Sequence, residues 1–333
     1  MKKILAACVL AITSLGVHAQ EKLPVVASFS ILGDLVSEIG GDRVAVRTLV
    51  GPDGDAHVFQ PSPQDAAVVA SARLLVVNGL GFEGWISRLT STTRFAGVTT
   101  VASEGVQALD MEEDGHDDHK GHSDHSGHDH KGHDHKPAAT ASTTAAAKPA
   151  AEHHHHGSQD PHAWQDAGRV KTYVANILAG LIKMDPAGAD YFKARAAAYD
   201  AKLDELDKWI VAQIASVPAA KRKVITSHDA FGYYENRYGV EFVSVAGVST
   251  QAEAAAGDVA SIIRLARKEQ IKAIFVENIS NDRMIQQVAR EAKATVGAPL
   301  FSDALSARTG PAGDYLSMMR YNTEQLVKGM KLN

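Results

Sequence analysis

From Leu23 onward the chain alternates short β-branched runs with amphipathic helical patterns: PVVASFS, ILGDLVSEIGG, VAVRTLV, a loop, PSPQDAAVVASA and RLLVVNG. Strand-like runs separated by helical ones predict a βαβαβ unit on a parallel sheet. The pattern stops between residues 110 and 158, which are rich first in His, Asp, Lys and Gly and then in Ala, Thr and Pro. With so few large apolar side chains this stretch cannot bury a core, so it predicts a disordered surface insertion.

Alternation resumes afterwards. Asp185 is placed to cap a helix, Pro186 suits its first turn, and Phe192, Tyr199, Leu203, Leu206, Ile210 and Ile214 recur at helical spacing before Pro218. About thirty residues at 1.5 Å each predict a rod of about 45 Å. A second set follows: RKVITS, HDAFGYYENRYG, VEFVSVAG, a helix around Asp258–Glu269, KAIFVEN, NDRMIQQVAREAK, APLFS and a C-terminal helix from about Asp314. The simplest architecture is α/β, with two similar lobes, each carrying a mainly parallel sheet, joined by one long rigid helix. The N-terminal lobe covers 20–184 including the insertion, the linking helix 185–217 and the C-terminal lobe 218–333. A stiff connection argues for small tilts over wide hinge closure.

The first nineteen residues stand apart. Lys2 and Lys3 precede an apolar run, and Val17-His18-Ala19 offers a small-residue cleavage site, so residues 1–19 predict a secretory signal peptide. The run from Ile4 to Ile12 is far shorter than the ~20 residues of a spanning helix. Leu5-Ala6-Ala7-Cys8 looks like a lipidation box, but it lies ahead of most of the apolar run, so simple cleavage is expected. Cys8 is the sole cysteine. Its loss leaves a mature chain without thiolate zinc ligands, cysteine catalysis or disulfides.

Charge narrows the partners. Of the formal net charge of −5, residues 110–136 contribute nine acids against three lysines. The folded remainder is nearly neutral, and no basic face argues for nucleic acid.

Twelve of the sixteen histidines lie in the insertion: His116, His119, His122, His125, His128, His130, His133, His135, His153, His154, His155 and His156. A glycine-rich backbone must lose much conformational entropy to wrap an ion, so these predict several weak zinc sites. With His18 in the signal, His57, His162 and His228 remain, in GDAHVFQPSP, QDPHAWQD and VITSHDAFGYY. Each follows a strand-like run or begins a helix, as does Asp303 in APLFSDALS; open α/β sheets bind ligands at such places. Alone, each reads equally as a hydrogen-bonded structural residue, and their spacing matches no compact motif such as HExxH.

Outside the insertion, the mature chain resembles the metal-binding solute-binding proteins of zinc and manganese ABC importers. The likeness is carried by GDAHVFQPSPQD, DPHAW, TSHDAFGYYENRYG, IFVENIS, FSDALSARTGPAGDYLSMMRYN and the long helix after KMDP. It implies a metal cleft between the lobes, with ligands His57 and His162 from the first and His228 and Asp303 from the second. It also implies a non-enzymatic periplasmic carrier that hands its ion to a membrane permease, with a periplasmic zinc metallochaperone as a candidate loader and a monomer as the working form. Ala56 stands where a proline is common, and Gln165 follows Trp164 where many relatives have an aliphatic residue; both blur the subfamily and leave the ligands in place.

Three neutral imidazoles and one carboxylate favour Zn²⁺. Family members that carry manganese usually offer Glu where this chain has His228. Imidazole ligates only when neutral, so affinity is expected to fall as pH drops through about 6.5. Asp160 and Asp229 are candidate acceptors behind two of the ligands, with helix capping or solvation as the equal alternative. The rival readings are a manganese or iron carrier, a histidine-rich zinc buffer, and a periplasmic zinc metallohydrolase. For the last, Glu277 is the least poor general base, although it reads better as a strand-end residue at the lobe interface.

Overall fold

A computed structural model describes residues 21–110, 159–248, 250 and 255–333; the signal-peptide and histidine-rich assignments lie outside the described residues. Strands β1 (Leu23–Phe29), β2 (Val44–Val50), β3 (Leu74–Val77) and β4 (Val98–Val101) form a parallel sheet in the order β2-β1-β3-β4. Helices α1 (Ser30–Gly40), α2 (Pro63–Ser71), α3 (Ile86–Thr93) and α4 (Val170–Met184) accompany it. The side chain of Ser62 accepts from the Asp65 amide and Asp65 returns the bond, a capping box that starts α2 with Pro63 in its first turn.

Helix α5 runs from Ala189 to Ala215. Asp185 caps a short 3-10 turn, Pro186–Gly188, by accepting from the Gly188 amide. The rod is therefore 27 residues, about 40 Å, shorter than the expected 45 Å because the chain spends its first turn turning the corner out of α4. Phe192, Ala196, Tyr199, Leu203, Leu206, Ile210 and Ile214 are buried along one stripe. At about 1.5–3 kcal/mol for each large apolar side chain, this face cannot peel away cheaply. It packs on α1 and α4 of the first lobe and on α6 (Gly232–Tyr238) and α9 (Tyr315–Met330) of the second.

In the second lobe β5 (Lys223–Thr226) pairs in parallel with β6 (Glu241–Ser244), followed by α7 (Ala256–Glu269) and α8 (Arg283–Ala292). The runs KAIFVEN and APLFS, expected as strands, form only isolated parallel bridges: Ile225 to Ile274, Ile274 to Val296 and Glu277 to Leu300. The amide of Ile274 bonds locally to the Lys272 carbonyl, and Pro299 has no N–H to offer, so the ladder cannot run continuously. Their order beside β5 nevertheless repeats that of the first sheet.

One apolar core passes from the first sheet through α5 into α6 and α9, and a second, smaller one lies under α7 and α8. Polar bonds also cross between the lobes. Leu305 N–H donates to Ser30 Oγ, Tyr315 N–H to Asp34 Oδ2, and Asp53 N–H to the Leu305 carbonyl, each at 2.9 Å. Asp110 and Gln159 meet in an antiparallel bridge, so these two positions adjoin although 49 residues apart in sequence.

Candidate metal centre

His57 lies in the loop between β2 and α2, where Asp55 Oδ1 accepts its backbone N–H at 2.8 Å. The Thr250 hydroxyl of the second lobe donates to the other oxygen of Asp55 at 2.7 Å. After β3, Gly79 takes φ +89 with no room for a Cβ beside Val101, and this tight turn presents Phe82 edge-on to the His57 ring, 4.7 Å away. His162 precedes a 3-10 turn, Ala163–Gln165, that leads towards α4. His228 follows β5, and Asp303 follows the segment bridged to Glu277.

The fold brings these four side chains together at the lobe interface. Asp303 Oδ2 lies 3.1 Å from His57 Nε2 and 3.2 Å from His228 Nε2, and Oδ1 lies 3.6 Å from His162 Nε2. One ligand atom from each residue falls within 4.8 Å of the other three. His162, His228 and Asp303 are fully buried, and His57 keeps 7% of its side chain exposed.

Behind two of these imidazoles stand two further carboxylates. Asp160 Oδ1 meets His162 Nδ1 at 2.7 Å and also accepts the His162 backbone N–H at 2.9 Å. Glu277 Oε2 sits directly on His228 Nδ1, while Oε1 accepts the His228 backbone N–H at 2.9 Å. An ionised carboxylate can only accept, so Asp160 and Glu277 favour a proton on each Nδ1 and leave Nε2, on the inward side of each ring, as the atom that can ligate once its own proton is displaced. His162 Nε2 and Asp303 Oδ1 have no hydrogen-bond partner among the described residues. Buried polar atoms left unmatched cost about 1–3 kcal/mol each, and a cation between them would remove that cost.

The electrostatics revise the expected midpoint near pH 6.5. Burial pulls the His162 imidazole down, but Asp303 and Asp160 outweigh it and hold it at about 9. Burial likewise opposes the charge on His228, which Glu277 and Asp303 raise well above the ordinary histidine range. Burial pushes the Asp303 carboxyl up, yet His162 and His228 hold it well below the usual carboxylate range. Without a cation, protons compensate the buried carboxylate.

With the site in view, the decisive comparison concerns the whole chain: the family model of zinc-uptake complex component A, ZnuA, periplasmic, matches residues 25–329. The chain belongs to the ZnuA family. It is similar to the manganese-binding lipoprotein MntA of Halalkalibacterium halodurans, 28% identical over 310 residues, covering 93% of this chain and 89% of that one. The iron-binding protein YfeA of Yersinia pestis is 26% identical over 309 residues, with 93% and 86% covered. The structure of the periplasmic zinc binding protein TroA from Treponema pallidum superposes with a TM-score of 0.77 at 25% identity, covering 93% of this chain and 99% of TroA. ZnuA-family proteins are the metal-binding components of ABC importers, working with a permease and an ATPase; they are not enzymes.

Glu277 is accordingly not a general base: both of its oxygens are turned onto His228, on the side of the ring away from the cleft centre. Of the two acceptors named from sequence, Asp160 meets His162 Nδ1, whereas the His228 Nδ1 atom faces Glu277 and not Asp229. Sequence reading missed the positioning role of Glu277 because it depends on Ile225 pairing with Ile274, which sets IFVEN beside the TSHD turn. Glu277→Gln is expected to weaken metal binding by about 10–100-fold while the lobes stay folded, read by competition with a chromophoric chelator. Unchanged affinity would refute the positioning role.

Proposed function

We propose that this protein captures one divalent ion, zinc in preference to others, between His57, His162, His228 and Asp303 and surrenders it to the membrane permease of an ABC importer. It acts as a monomer in the periplasm after cleavage of residues 1–19, and a zinc metallochaperone is a candidate donor. The observation that carries this reading is the convergence of three imidazoles on one buried carboxylate, two of them pinned from behind by carboxylates. Three nitrogens and a single carboxylate suit zinc better than manganese, which prefers a more oxygen-rich shell.

One feature favours a second reading, that the cargo is manganese or iron. Both oxygens of Asp303 face imidazoles, so a bidentate carboxylate would offer five donors instead of four. Relatives named for manganese, iron and zinc leave the choice open at family level. Equilibrating the protein with equal zinc and manganese under a chelator buffer and measuring the bound metals distinguishes the two; predominant manganese would overturn the zinc assignment.

The histidine-rich segment, in this reading, gathers zinc weakly near the cleft. Its flanks, Asp110 and Gln159, already pair, which supports removing residues 112–156 without disturbing the fold. The shortened protein is expected to retain one tightly bound zinc per chain and to lose only the weak additional ions, as measured by titration with metal analysis. Loss of all tight binding would favour a histidine-rich buffer over a carrier.

A further inference from the structure

The segment that begins at His162 also reaches across the lobes by a route that uses no imidazole. Trp164 Nε1 and Gln165 Nε2 both donate to the carbonyl of Ser302, at 2.9 and 2.8 Å. All three residues are fully buried, and the Tyr315 hydroxyl anchors the same segment by donating to the Trp164 carbonyl at 2.7 Å. A carbonyl oxygen has two lone pairs, and here both are engaged. The Ser302 carbonyl and the Asp303 nitrogen share one planar peptide unit. Two donors from different side chains therefore fix the rotation of that plane and with it the direction in which the Asp303 side chain leaves the backbone. Since both donors sit on the 3-10 turn that follows His162, the turn sets the spacing of His162 and Asp303, which belong to different lobes.

We infer that Gln165 is a positioning residue that holds Asp303 in register with His162 and slows the release of the ion; this rests on the reading that the four side chains bind metal. Gln165 is the separable half of the brace. The Trp164 ring also packs against Phe29, Phe82 and His162. The carboxamide of Gln165 has a different balance: its oxygen is buried with no partner among the described residues. An apolar side chain of the same length would avoid that cost, so what the amide contributes is its bond to Ser302. Removing it leaves the carbonyl one donor, Trp164, and frees the peptide plane to tilt about that single bond.

Gln165→Met keeps length and volume and deletes the donor. The full-length variant and wild type are loaded with Zn²⁺ or Co²⁺, and metal transfer to a chelator, the Co²⁺ visible absorption and the melting of the metal-free protein are recorded. The variant is expected to release zinc about 10-fold faster, the lower end of effects seen for groups that orient metal ligands, with an altered Co²⁺ band and metal-free melting like wild type. Identical release and identical absorption would overturn the inference, as would faster release with an unchanged Co²⁺ band and lowered metal-free melting, which marks a packing defect alone. If Gln165→Met fails to fold, Gln165→Leu removes the same donor with a shorter apolar side chain, and the same three outcomes apply. A wild type that binds neither ion removes the metal reading and the inference together; a wild type that binds both, beside an indistinguishable variant, removes the inference alone.

Discussion

His162→Ala is expected to abolish tight metal binding while leaving a folded protein. Structural zinc sites with four ligands are worth about 10–16 kcal/mol, so losing one ligand costs roughly a quarter of that, about 3 kcal/mol or more than a hundredfold in affinity. His162 is the most enclosed of the three imidazoles, which makes replacement by water costly. The fold should survive because Asp160 keeps its bond from the residue-162 backbone N–H, and Trp164 and Gln165 still tie the segment to Ser302. His57→Ala should lose less, since that imidazole stands at the exposed edge where water can take its place. His228→Ala should lose as much affinity as His162→Ala and more stability, because Glu277 would keep only its backbone partner. Chelator competition measures the affinities, and melting of the metal-free proteins checks the folds. Wild-type affinity in His162→Ala would sink the assignment of the site.

The second large effect is in pH. In the metal-free protein His162 is held at about 9 and His228 well above the ordinary range, so near neutrality both bind protons that an incoming ion must displace. Affinity should therefore climb with pH through neutrality at least to about 9, where His162 gives up its proton, with a slope approaching two decades per unit where two protons leave. The metal-free fold obeys the opposite sign. A histidine whose folded value of about 9 exceeds its unfolded value of about 6.5 stabilises the fold fully below pH 6.5, and that contribution disappears as pH rises through 9. Calorimetric titrations at pH 7 in buffers of different ionisation enthalpy count the released protons. An affinity flat between pH 7 and 9, with no proton release at pH 7, would contradict the buried-carboxylate account.

How much of this was legible beforehand depends on whether an element's cause is local. The α5 stripe could be read directly because the apolar period is the burial pattern itself. Helix α3 and strand β4 were not foreseen. Only Leu89 is buried in ISRLTSTT, whose hydroxyls return to carbonyls three or four residues back, as Ser91 does to Ser87 and Thr92 to Arg88. Strand β4, VTTV, is short and held by its partner β3. At the site, three histidines and an aspartate could be named singly from strand ends, and the resemblance to metal-binding proteins joined them into one set. Asp160 was within reach because it precedes its ligand by two residues. Glu277 and the brace on Ser302 were not, since they arise from contacts between lobes that no local period encodes.

The antiparallel bridge between Asp110 and Gln159 bears on how such a chain can change over time. Because residues 110 and 159 adjoin, whatever length of chain joins them has no distance to bridge. For a flexible loop closed between adjoining ends, each doubling of length costs only about 0.6 kcal/mol in closure entropy. Insertions or deletions between residues 110 and 159 are therefore expected to cost the fold little, and His162, three residues after Gln159, to keep its place.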